Sequence, residues 1–179
     1  MNKGTFTAIT CAGFTPNIVY ELNTPPEKAE VMALTIIIMQ LSKHFTLAEF
    51  TASETADKLG IDNSLDITCD SYVIENLAHL CKWVLEPVRF RLGCPVCISS
   101  GYRCTRLNEA VKGSPTSDHR YGLAADIYFS DFADKWHEVV VLLVCSSWIP
   151  FDQLIIYRNF LHIGIGSAMR RQVLDYRNK

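Results

Sequence analysis

Residues Ser117 to Asp126 read Ser-Asp-His-Arg-Tyr-Gly-Leu-Ala-Ala-Asp, and 36 positions later a lone His162 stands in the run Phe-Leu-His-Ile-Gly-Ile. This pattern constrains the fold more than any other stretch of the chain. His119 and Asp126 are seven residues apart, too far for one turn of a helix. A loop holding the His, followed by a strand carrying the Asp, would bring the two toward one point. Gly122 lets the backbone turn where a side chain would obstruct, and the small pair Ala124–Ala125 lets that strand pack closely. Taken singly, His162 in an apolar strand reads as a core histidine bonded to a carbonyl. Together with His119 and Asp126 it completes two imidazoles and a carboxylate. That is a full protein ligand set for one catalytic Zn2+, whose fourth tetrahedral position stays open for water.

The surrounding signals describe the scaffold. Thr46 and Glu49 have capping-box spacing, with Phe45 and Phe50 placed as a hydrophobic staple. A longer helix is expected from Asp70, with Val73, Leu77, Leu80, Cys81, Val84 and Val88 as its apolar stripe. Pro87 should kink it and Gly93 should stop it. Val96 to Ser99 reads as a strand, Thr105 to Val111 as a short helix ended by Gly113, and Leu123 to Phe129 as a strand. Phe132, Trp136, Val139, Val140, Leu143 and Ser147 trace a third helix. Phe151 to Tyr157 and Phe160 to Ile165 form an expected hairpin around Arg158–Asn159. Helices and antiparallel strands are segregated, so the class is α+β: an antiparallel sheet with flanking helices.

At 179 residues the chain fits one domain with a real core, and 49% hydrophobic against 20% charged residues makes it globular. A net charge of −2 gives no electrostatic case for nucleic acid or an acidic membrane. The apolar run Ala33 to Met39 is far below the length of a membrane span. Seven cysteines cannot all pair internally, and no secretory signal is evident at the start. Both points favour synthesis in a reducing cytoplasm with mostly free thiols. Cys94-Pro95-Val96-Cys97 has redox or zinc spacing but no second C-x-x-C, so it reads as ordinary cysteine. His44, His79 and His137 read as structural or exposed, and Arg170–Arg171 as a solvated tail. Residues 1–38, with three prolines and no clear period, read as an extension of the 39–179 domain. Met39 could be the natural start, or the isoleucines at 36–38 could pack on the domain.

The decapeptide at 117–126 resembles the S-x-H-x-x-G-x-A-x-D signature of the zinc D-Ala-D-Ala carboxypeptidase family, whose fold is shared with hedgehog signalling domains. Ser117, His119, Gly122, Ala124 and Asp126 carry the match. His44 to Phe50, Ile98-Ser99-Ser100-Gly101-Tyr102-Arg103, Leu107-Asn108, Gly113 to Ser117 and Phe151-Asp152-Gln153-Leu154-Ile155 agree as well. The resemblance runs from about residue 40 to the end and is closest to small single-domain members from bacteria and their phages. It implies a zinc domain with ligands His119, Asp126 and His162. It also implies that Arg103 lies beside the metal and stabilises an oxyanion or a substrate carboxylate. Ser117 could bond substrate or a ligand, or cap its loop.

One departure stands out. Many members carry a catalytic Glu shortly before the last zinc-binding His; here Tyr157 takes that place, and no Asp or Glu lies between Asp152 and His162. The candidates for the base are therefore Asp152 and Tyr157. With a two-residue turn at Arg158–Asn159, His162 faces Ile155, and Gln153 and Tyr157 share its side of the sheet. With a three-residue turn His162 faces Leu154, and Asp152 moves to that side. Asp152 is slightly favoured, because a phenol with an ordinary pKa of about 10 is a poor base near neutral pH.

The leading expectation is a monomeric zinc metallopeptidase that hydrolyses peptidoglycan stem or cross-link peptides. It would be made in the cytoplasm and act at the bacterial cell wall: an endolysin in a phage, a wall-remodelling enzyme in a bacterium. Two alternatives follow from the missing Glu. One is a zinc-bearing peptidoglycan-binding module, and the other is a virion-associated structural protein with a vestigial site.

Overall fold

A computed structural model of the protein describes residues 39–65 and 69–178. The expectations for residues 1–38 lie outside that range. Helix α1 (Leu47–Thr51) starts as its sequence dictates: the Glu49 carboxylate accepts from the Thr46 amide at 2.7 Å and from its hydroxyl at 2.8 Å. The Phe45 and Phe50 rings, both fully buried, meet edge to face at 6.4 Å and close the staple. Helix α2 (Glu54–Leu59) is capped by the Ser53 hydroxyl and stopped by Gly60 in the left-handed region.

The long helix comes in three pieces: α3 (Ser71–Leu80), a π-helical segment Cys81–Leu85, and α4 (Glu86–Leu92), ended by Gly93 at φ 64°. The effect expected of Pro87 takes this form. A proline ring crowds the turn before it and lacks an amide hydrogen. The helix takes up an extra residue there, and the Glu86 amide bonds to Cys81 rather than to Lys82. The expected apolar stripe stays continuous through the irregular turn, with Val73, Leu77, Leu80, Cys81, Val84 and Val88 all buried.

Five strands follow in the order β1-β2-β4-β3-β5: β1 (Val96–Ser100), β2 (Ala124–Phe129), β3 (Gln153–Ile156), β4 (Leu161–Gly164) and β5 (Gln172–Asp175). The first three pairings are antiparallel, and β5 runs parallel to β3. Helix α5 (Thr105–Ala110) and a 3-10 turn (Asp118–Tyr121) lie between β1 and β2, and α6 (Phe132–Cys145) lies between β2 and β3. One face of the sheet, with Ala125, Ile127, Leu154, Ile156, Leu161 and Ile163, is buried in a single apolar core with the helices. Each such side chain withdrawn from water contributes roughly 1.5–3 kcal/mol. The opposite face carries Asp126 and His162, directly paired across β2 and β4.

Three details differ from the sequence pattern. Helix α6 stops at Cys145, leaving Ser147 outside it and exposed. Strand β5 was not foreseen. Nor is Arg170–Arg171 a solvated tail. The Arg171 guanidinium donates to the carbonyls of Leu143, Val144, Ser146 and Ile149 and lies 4.4 Å over the Phe151 ring. It thereby takes up the orphan carbonyls at the end of α6. A lone cation with no periodicity gives no sign of such a partner in the sequence.

Candidate metal centre

The site is assembled by a loop and two strands. Gly101 can have no Cβ, because one would lie 2.6 Å from the Phe50 backbone. That close approach lets the Tyr102 amide bond to the Phe50 carbonyl and turns the Gly101 carbonyl toward the 3-10 turn. There His119 Nδ1 donates to it at 2.7 Å. The bond fixes the tautomer, leaving Nε2 of this buried ring as the free ligand atom. Gly122 at φ 69° ends the turn, and a Cβ there would stand 2.5 Å from the Val73 carbonyl. The chain then enters β2, which delivers Asp126.

His119 Nε2, Asp126 Oδ1 and His162 Nδ1 converge. The separations are 2.8 Å from Asp126 to His162, 3.2 Å between the histidines and 3.3 Å from His119 to Asp126. A tetrahedral zinc with bonds of about 2.0–2.2 Å separates its ligand atoms by about 3.3 Å. The donor set and its spacing therefore fit that ion, and among the described residues these three form a group able to hold a metal. Burial alone would push the Asp126 carboxyl pKa up, but its close contacts with both imidazoles hold it well below the usual carboxylate range. The deprotonated form is the one a metal requires.

Arg103 backs the carboxylate from the other side. Its Nη2 donates to Asp126 Oδ2 at 2.7 Å and its Nε to Ser100 Oγ at 2.9 Å. Asp126 thus spends one oxygen on each side, which leaves Oδ1 alone to face the histidines. The Arg103 loop is itself pinned by Asn63. The buried Asn63 amide donates to the carbonyls of Thr51 and Tyr102 and accepts from the Cys104 amide. Asn63 does not stand out in the sequence, since a polar residue in a loop carries no pattern.

The hairpin has the two-residue turn: Ile155 faces His162, and the Tyr157 amide bonds to the Phe160 carbonyl. Tyr157 is therefore on the His162 side of the sheet, stacked at 4.4 Å on Phe160. Burial and then the nearby Asp126 charge raise its pKa, so the phenol keeps its proton. Asp152 lies just before β3, with its carboxylate buried and accepting from the Arg170 amide at 2.7 Å and from the Arg170 guanidinium. Those bonds hold its pKa low. The structure brings Asp152 to the end of the same cleft, but with both oxygens already engaged. Ser117 lines this cleft too, and its side chain makes no capping bond to the 3-10 turn.

Asp118 is the residue that the sequence reading passed over. Its carboxylate lies in the cleft between Asp152 and His162, where burial, followed by the charge of Asp152, raises its pKa. The cleft has a volume of about 640 Å³ and runs from Arg103 to Arg170 across the three converging ligand atoms.

Residues 43–164, about two thirds of the chain, match the family described as Peptidase M15. The chain belongs to that family. No curated protein matches it. The match ends at the last residue of β4, so it takes in all three converging side chains as well as Arg103 and Tyr157. M15 peptidases are zinc-dependent, and the fold, a five-stranded sheet with flanking helices, is of the M15 kind. Among the described residues no helix is long and apolar enough to cross a membrane.

Proposed function

We propose that the protein is a zinc-dependent peptidase acting on peptidoglycan stem or cross-link peptides, with His119, Asp126 and His162 as the zinc ligands. The observation that carries this reading is the convergence of three buried or nearly buried donor atoms at tetrahedral spacing in an open cleft. When bound, zinc would polarise the scissile carbonyl and lower the pKa of a coordinated water.

The chain's own groups do the rest. Arg103 keeps Asp126 ionised and oriented, and its guanidinium sits where negative charge develops. Tyr157, with its proton retained, donates a hydrogen bond to the carbonyl oxygen from the His162 side. Ser117 presents a hydroxyl to the peptide backbone. Asp152 holds the strap before β5 through Arg170, and proton transfer at its carboxylate would require that pair to open. The site of action is the bacterial cell wall, reached by a monomer.

The tyrosine at the place of the family's glutamate also favours a second reading, a zinc-bearing module that binds wall peptides without cutting them. A zymogram on purified cell walls, with and without chelator, separates the two. Clearing that the chelator abolishes and zinc restores is the expected result. Zinc bound with wall material retained but uncut would establish the binding module instead.

A further inference from the structure

The two metal-facing histidines do not have the same outer partner. His119 Nδ1 donates to the Gly101 carbonyl. His162 turns Nδ1 toward Asp126 and His119, which leaves Nε2 on the far side of the ring, without a hydrogen bond to protein among the described residues. A ligating histidine almost always donates its second ring N–H to a carboxylate, a carbonyl or water, because that bond fixes ring angle and tautomer.

Gly164 marks where such a partner would stand. A Cβ built on it would lie 3.2 Å from Asp118 Oδ2, 3.6 Å from His162 Nε2 and 3.8 Å from the Gln153 carbonyl oxygen. Three polar atoms face the space beside the Gly164 Cα, which has no side chain to fill it. One is a donor, one a carboxylate and one a carbonyl, which is the two-to-four-partner setting that an ordered water needs. Among the described residues nothing donates a hydrogen bond to the Asp118 carboxylate, although the Arg170 charge is near enough to act on it. Gly166 keeps the other side of the same carboxylate clear, since a Cβ there would come within 2.9 Å of Oδ2.

We infer that Asp118 is the positioning carboxylate of His162, bonded to its Nε2–H through one water in the space that the missing side chain of Gly164 leaves open. The water accepts from Nε2–H and donates to Asp118 Oδ2 and to the Gln153 carbonyl. Asp118 thereby orients the third zinc ligand from outside, as the Gly101 carbonyl orients the first. This rests on the zinc reading above and adds to it a residue that touches neither metal nor substrate.

The test is zinc affinity of the full-length chain by competition with a chromophoric chelator, for wild type, Asp118→Asn, Asp118→Ala and Gly164→Ala. Loss of an outer-sphere partner typically weakens metal binding about 10–100-fold. That loss is expected in both Asp118 variants. It is expected in Gly164→Ala as well, where Asp118 is intact but a methyl group intrudes on the space between the three polar atoms. A second readout is the ring N–H proton resonance of His162 in the zinc-loaded chain, present in wild type and lost to exchange in Asp118→Asn. A merely structural Asp118 would lower the unfolding temperature of the zinc-free chain and leave the affinity of folded protein and the resonance unchanged. Equal affinity, within twofold, in wild type and Asp118→Asn overturns the inference. Should that variant not fold, unchanged affinity in Gly164→Ala does the same. Failure of the wild type to bind zinc at all would instead remove the metal-site reading itself.

Discussion

The two walls of the cleft are built on different terms. On the wall formed by β1, the Arg103 loop and the 3-10 turn, the main polar groups have fixed partners. Asn63 makes three hydrogen bonds, Arg103 is held by Ser100 and Asp126, and His119 is held by Gly101. Toward the hairpin wall the pattern changes: His162 Nε2, and the Asp118 carboxylate that the 3-10 turn sends across to it, have no protein donor or acceptor among the described residues. Tyr157 there stands where many relatives carry a carboxylate. The first wall sets geometry. The second presents groups to whatever enters the cleft, and chemistry particular to this chain belongs there.

If both walls supply a metal ligand, breaking either should have the same large effect. His119→Ala and His162→Ala should each reduce zinc content to near zero and abolish wall hydrolysis, read by metal analysis and zymogram. Unchanged zinc in both would end the assignment. The next effect should separate the walls. Asn63→Ala leaves the Cys104 amide and the Thr51 and Tyr102 carbonyls without their partner, at a cost of about 2–3 kcal/mol of stability. It should also weaken zinc binding through Arg103, although Asn63 touches no ligand. Chemical unfolding and chelator competition on the same variant would show whether the first wall acts as one unit.

How much of this was legible in sequence follows the same division. The converging trio His119, Asp126 and His162 could be read because its members sit at fixed offsets in a strand–loop frame and because the decapeptide resembles a known signature. The helices could be read because apolar periodicity survives even the π-helical turn before Pro87. The hairpin register could not be chosen, since two- and three-residue turns both satisfy the alternation; the Ile155–His162 pairing decides it. Asp118 and Asn63 give no sign in the sequence, and Arg170 reads as a tail, for one physical reason. Each faces partners distant in sequence, and a polar residue in a loop leaves no periodic trace. Arg170 and Arg171 looked like a tail because a cation at a chain end is usually solvated, yet each satisfies buried acceptors here.

On the hairpin wall, Tyr157 and Asp152 can be told apart. Tyr157→Phe removes one hydrogen-bond donor from the cleft and should lower turnover roughly 10²-fold, with zinc content and unfolding temperature unchanged. Asp152→Asn should keep zinc as well but act mainly on stability. The Arg170 bonds depress the Asp152 pKa in the folded state below its unfolded value of about 3.9. Its stabilising contribution is therefore complete above that value and is lost as pH falls through the lower folded one. Wild type should unfold at the higher temperature at pH 6, and the two curves should converge below about pH 4. A large fall in turnover for Asp152→Asn with stability intact would transfer the chemical role to Asp152.

The smallest effect should come from the amino-terminal end. Both walls are made of residues beyond Met39, and the first polar anchor is the Ser42–His44 stretch, where the Ser42 hydroxyl and the His44 amide and ring bond to Glu86. Burial raises the Glu86 pKa, and these bonds more than offset it, so the ion stays charged and ties the start of the domain to α4. Gln40 also bridges to Thr46 ahead of α1. A chain beginning at Met39 therefore keeps every contact named for the cleft. We expect it to unfold cooperatively within a few degrees of the full chain and to bind zinc with equal affinity. Calorimetry of the two chains side by side is the measurement. A large loss of stability on removing residues 1–38 would show that the apolar run at 33–38 belongs to the core. The division at Met39 would then be the wrong place to begin the domain.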